Sequence, residues 1–179
     1  MNTANKKLGL AARLVCAAVF FVLGSVNARA FELHNNVGAG IGIPYGLFGA
    51  QYELELGFGN FVSVSPTIGA GTSLLAGAAV NGGVQLLLGN KDGLFRYGLT
   101  YWYGTNTIVE SRPDHFKLKQ GSTVGAKARF QFGRARRHAV DAHVLTTITP
   151  TKSELEDDGY SVESGGNNIL LGVGYVFRF

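Results

Sequence analysis

From Phe31 onward the apolar residues of this chain recur at every second position, and that period constrains the fold more than any other feature. In the segment 167–179, Ile169, Leu171, Val173, Tyr175, Phe177 and Phe179 share one face, and Asn168, Leu170, Gly172, Gly174, Val176 and Arg178 share the other. Strands alternate in this way and helices do not. The same reading gives seven earlier strands. They carry outward sets such as Phe48, Ala50, Tyr52, Leu54 and Leu56, or Phe95, Tyr97, Leu99, Tyr101 and Tyr103. Turn signals separate them, among them Pro44-Tyr45-Gly46 and Gly89-Asn90-Lys91-Asp92-Gly93. Pro66 lacks a ladder donor, so a bulge is expected in the third strand. Polar stretches around 111–115 and 150–166 are the two long loops.

None of the eight apolar faces holds an Asp, Glu, Lys or Arg. A basic residue on the lipid face of a membrane barrel at mid-depth costs about 2–4 kcal/mol, whereas a soluble barrel needs charge on its outside. Strands of this length, even in number, fit an all-β fold: an eight-stranded antiparallel transmembrane β-barrel in up-and-down meander order. The C-terminal strand, with Tyr175 and Phe177 leading to Phe179, resembles the signal strand of Gram-negative outer-membrane barrels. The whole pattern is similar to the small OmpA-type and OmpX-type proteins. That resemblance implies recognition by the barrel-assembly machinery through Tyr175, Phe177 and Phe179. It also implies contact with outer-membrane lipid and lipopolysaccharide, and a monomer in the cell outer membrane. With both termini in the periplasm, aromatic residues fall near the two rims, with Phe95, Phe130, Phe132, Phe177 and Phe179 at the inner one. Tyr45, Phe48, Tyr101 and Tyr103 fall at the outer one.

The N-terminus points to the same compartment. Lys6, Lys7 and Arg13 precede an apolar run, Leu14 to Leu23, and Ala28-Arg29-Ala30 forms a small-x-small cleavage site. Residues 1–30 are read as a cleaved signal peptide and residues 31–179 as the barrel domain. Four of the sixteen basic residues and none of the twelve acidic ones lie in the leader, so the mature chain carries twelve of each. The basic isoelectric point therefore belongs to the leader and argues for no nucleic-acid partner. The single cysteine, Cys16, lies in the leader's apolar run, leaving no thiol chemistry in the barrel.

On the inward faces Glu53, Glu55, Arg96, Lys127, Arg129, Asp141, His143 and Arg178 gather towards one end, an interior charge cluster expected to pair and plug the lumen. A narrow channel or small-solute conduit through the same groups is the alternative. Towards the other end the inward residues are glycines (Gly40, Gly42, Gly49, Gly69, Gly77, Gly98) with Trp102. They are read as relief of crowding in a curved sheet, or else as a small cavity walled by backbone and Trp102. The glycines meet neither the dinucleotide nor the P-loop pattern, and the four histidines lack metal-site spacing, so no cofactor and no metal is expected. Enzymes of this architecture act on lipid A near the outer rim. The only residues placed there for such work are Ser111, Asp114 and His115, on a loop, a weak basis for a lipid A-modifying hydrolase or acyltransferase. The expected function is an integral outer-membrane protein with a structural or surface-interaction role through its extracellular loops and without catalysis.

Overall fold

The computed structural model describes residues 31–73, 76–112, 115–158, 160–164 and 169–179. The segment read as a leader lies outside them. Strands β1 (Phe31–Gly42), β2 (Leu47–Phe58), β3 (Val62–Ser73), β4 (Gly77–Leu88), β5 (Phe95–Arg112), β6 (His115–Phe132) and β7 (His138–Thr149) follow one another. A short helix α1 (Lys152–Asp157), a four-residue strand β8 (Ser161–Ser164) and β9 (Ile169–Arg178) complete the chain. Each of β1 to β7 pairs antiparallel with its neighbour in sequence, and β9 pairs with both β7 and β1. The sheet therefore closes into an eight-stranded barrel with no free edge along its staves. β8 stands outside the ring, on the far part of β5.

Side-chain exposure follows the period of two. Leu99 (63 % exposed), Leu171 (72 % exposed), Ile68, Val80 and Val144 face outward, while Glu53, Gln85, Arg96, Thr123, Lys127 and Asp141 are buried in the lumen. Apolar residues cover the outside and polar residues fill the inside, the reverse of a water-soluble barrel.

Three details depart from the sequence reading. Pro66 makes no bulge: β2 and β3 keep one register from Glu53–Thr67 to Leu56–Val64, and only the pairs between drop out, because proline withholds its donor. Most of the polar stretch around 111–115 belongs to strands, since β5 runs to Arg112 and β6 begins at His115. β5 and β6 each run 18 residues, well past the rim, and bulges at Thr105/Thr107 and Glu110/Arg112 interrupt their alternation. Finally, the turn after β1 does not project outward. Gly42 leads into a 3-10 turn, Ile43–Tyr45, whose three residues are all buried.

Candidate functional site

The lumen holds the chain's chemistry, in two layers. The lower one, towards the end where β1 begins and β9 finishes, is ionic. Arg129 on β6 is its centre: Nε and Nη2 donate to the Asp141 oxygens at 2.7 and 2.8 Å, and Nη2 also reaches Glu53 at 2.7 Å. Its Nη1 donates to Glu53 at 3.1 Å and to Glu55 at 3.4 Å. Lys127, two residues along and so on the same face, lies 2.7 Å from Asp141 and 3.3 Å from Glu53, and donates to Gln85 Oε1. Glu55 is shared by Arg96 at 2.5 Å and Arg178 at 2.7 Å. Asn36 Nδ2 donates to Glu53 and Glu55, at 3.2 Å each, and Ser63 Oγ accepts from Arg96.

Register explains the assembly. Arg129 stands opposite Asp141 across β6–β7, and opposite Arg96 across β5–β6. Two arginines face to face repel. Here Glu55 contacts both, and Asp141 and Glu53 take the other donors of Arg129. Three carboxylates thus meet four basic side chains, with Glu53 0 % and Arg129 1 % exposed. A buried charge is tolerated only when its hydrogen bonds are met, which this network achieves for every carboxylate.

His143, grouped with these charges by sequence, stands apart from the network. It is buried, neither ring nitrogen has a hydrogen-bond partner, and its ring meets Tyr45 edge-on at 6.2 Å. Asp141, two residues away, is already held by Arg129 and Lys127.

The upper layer is the inserted turn, and it overturns two expectations. Tyr45 is not a rim aromatic; it is 0 % exposed, inside the barrel. Nor do the inward glycines surround an open cavity with Trp102, because the turn occupies that space. Gly71, Gly49, Gly40 and Gly174 are successive partners across β3, β2, β1 and β9. A Cβ on Gly174 would stand 2.2 Å from Tyr45 Cζ, one on Gly40 3.0 Å from Cδ2, and one on Gly49 2.7 Å from the Tyr45 carbonyl. Only glycine along this row leaves room for the ring and its backbone. Asn81 Nδ2 donates to the Ile43 carbonyl at 2.6 Å, and Ile43 packs with Trp102 and Leu145 into an apolar lid that Leu47 and Leu170 extend. The turn returns through Gly46 (φ 62°) and Leu47 (φ 74°), both left-handed. For a bulky residue such as Leu47 that conformation is strained, and the packing around the turn holds it.

Of the weak enzyme candidates, Asp114 lies outside the described residues, as do the side chains of Ser111 and His115. Among the described residues no group of three His, Asp or Glu side chains is placed to hold a metal ion. Tyr175 on β9 and Phe179 just after its end are exposed, and Phe177, half-buried between them, packs on His138, whose Nδ1 is hydrogen-bonded to the Tyr175 hydroxyl. The sequence did not identify the inserted turn as a functional element. Its one signal was a tyrosine in a turn whose flanking strands present glycine inward at matching heights.

No protein-family model matches the sequence, and no curated protein matches it. Among solved structures, the chain is similar to the N-terminal β-barrel domain of OprF from Pseudomonas aeruginosa. The identity is 12 % and the TM-score 0.46, over 84 % of this chain and 100 % of that domain. The strand pairing defines the barrel without help from that likeness.

Proposed function

We propose that this chain is an integral outer-membrane protein, crossing the bilayer through its eight barrel strands, with a lumen shut to solutes and its long hairpin offered to partners outside the cell. One observation carries the reading: the exposed wall is apolar and the charges are inside. Most barrel strands span 12 residues and β9 spans 10, enough to cross a hydrocarbon core when tilted. Ionic layer and inserted turn block the path in series, which speaks against a steady conduit. The termini then face the periplasm, the β5–β6 hairpin with β8 and α1 faces outward, and Tyr175, Phe177 and Phe179 serve assembly.

The test is single-channel conductance of the refolded protein in planar bilayers, beside a Glu53→Gln, Glu55→Gln double variant. A silent parent, and a variant that leaks or loses heat resistance on a gel, support the closed barrel. Breaking buried ion pairs on one side costs about 3–5 kcal/mol, because Arg96 and Arg178 lose their one carboxylate partner and Arg129 keeps only Asp141. A parent that conducts steadily, with a variant of altered ion selectivity, makes the protein a pore. Recovery of the mature protein from the periplasm without detergent sinks the membrane reading itself.

A further inference from the structure

The turn between β6 and β7 is unlike the others at its end of the barrel. Within five residues, Gly133 to Arg137, it carries Arg134, Arg136 and Arg137, and His138 follows at the start of β7. Ala135 (φ 54°) and Arg136 (φ 50°) are both left-handed without being glycine, a conformation that gathers at ligand-binding segments. Arg136 is engaged, donating from Nε to the Asp92 carbonyl at 3.2 Å. Arg134 and Arg137 have no side-chain partner among the described residues, and both line a groove of about 520 Å³ with Ala135, His138 and Phe177.

The neighbouring rim shows that this charge is local. Lys91, in the β4–β5 turn, is spent on Glu32 at 2.5 Å. From the groove, through His138 and Phe177, an aromatic row continues onto the apolar outer wall. Phe130 stacks on Phe132, Phe132 on His138, and His138 meets Phe177, with ring centroids 5.4–6.2 Å apart. His138 Nδ1 is taken by the Tyr175 hydroxyl, so Nε2 is the nitrogen left for another group. Two uncommitted guanidinium forks and an imidazole therefore sit at the edge of an aromatic wall. The ligand that satisfies both parts has a phosphate joined directly to acyl chains.

We propose that Arg134, Arg137 and His138 form a binding site for the headgroup of an anionic phospholipid in the leaflet that meets the terminal end of the barrel. The inference rests on the membrane reading above. The phosphate takes charge-assisted hydrogen bonds from the two arginines, and the first methylenes lie over Phe177 and Phe132. Basic side chains near an anionic surface contribute about 1 kcal/mol each, so two of them discriminate by roughly tenfold or more.

The experiment reconstitutes the mature protein into vesicles of equal parts phosphatidylcholine and phosphatidylglycerol. Lipid retained on the folded barrel after detergent extraction is then counted by native mass spectrometry. Phosphatidylglycerol should be retained about tenfold over phosphatidylcholine. That preference should vanish in Arg134→Gln, Arg137→Gln and persist in Arg136→Gln and in Lys117→Gln, Lys119→Gln, the latter pair on the β5–β6 hairpin. Heat-shifted gel migration checks that each variant is folded, and Arg134→Lys, Arg137→Lys should keep part of the preference. Equal retention of both lipids, or a preference untouched by the double Gln variant, overturns the site. Displacement of phosphatidylglycerol by inorganic phosphate at matching concentration overturns its assignment to a lipid. Failure to insert into any vesicle condemns the membrane reading instead and is distinguishable from all of these.

Discussion

Two residues decide what the lumen can do. Arg129 holds Glu53, Glu55 and Asp141 at once, so Arg129→Met removes the counter-charge of two carboxylates with few other cationic contacts. The loss should be about 3–5 kcal/mol, read as a lower midpoint of denaturant unfolding in micelles; an unchanged midpoint would show that the network is ornamental to stability. Tyr45 fills the space that glycine leaves. Gly174→Val places a branched side chain where the ring now lies, and should either expel the turn or cost about 1–3 kcal/mol. Expulsion would appear as faster amide exchange over 43–47 with the barrel still folded, and without conductance, since the ionic layer still closes the lumen below. The ionic residues could be placed from the sequence because strand alternation fixes the side on which each points. Tyr45 could not, since a turn has no such period, and a tyrosine near a rim reads first as an interfacial anchor.

Among the elements, the barrel strands were the legible part and their extensions were not. Alternation from Phe95 to Tyr103 is unbroken, and the bulge at Thr105/Thr107 is where the period stops speaking for the structure. β8, four residues long, has too little sequence to show any period. Helix α1 did leave a mark: Thr151-Lys152-Ser153-Glu154 is a capping box, and Glu154 N donates to Thr151 Oγ1 at 3.3 Å while Glu154 Oε2 accepts from Thr151 N at 2.8 Å. Thr151→Ala should destabilise the helix by about 1 kcal/mol and raise amide exchange over 152–158 with no change in the barrel. Exchange rising in β7 or β9 as well would mean that the helix braces the wall. Pro66→Val restores a missing donor between β2 and β3 on a side chain that faces outward, and should stabilise the barrel by about 0.5–1.5 kcal/mol. A lower unfolding midpoint would show that the proline's fixed φ matters more than the hydrogen bond.

At the scale of the whole molecule, the apolar outside and the ionic inside follow from one alternation read on two faces, and so the architecture was visible before any coordinates. What alternation could not reveal was what fills the glycine-lined end, because glycine marks a face without saying what lies against it. The inserted turn also bears on how the ring closes. β1 and β9 are its first and last staves, and their pairing runs only from Asn36–Arg178 to Ile41–Val173, whereas β3–β4 runs from Val62–Leu88 to Ser73–Gly77. This seam is fastened from within at both heights: Tyr45 lies over the Gly40–Gly174 pair, and Arg178 reaches across β1 to Glu55 on β2. Sliding β9 by two residues one way would bring Val176 under the tyrosine. Sliding it the other way offers Gly172, which fits, but carries Arg178 away from Glu55. The pair of contacts thus works as a gauge that the last strand must satisfy at two points before the wall is complete, and a barrel closed one step out of line would be recognisable by an empty notch or a stranded arginine.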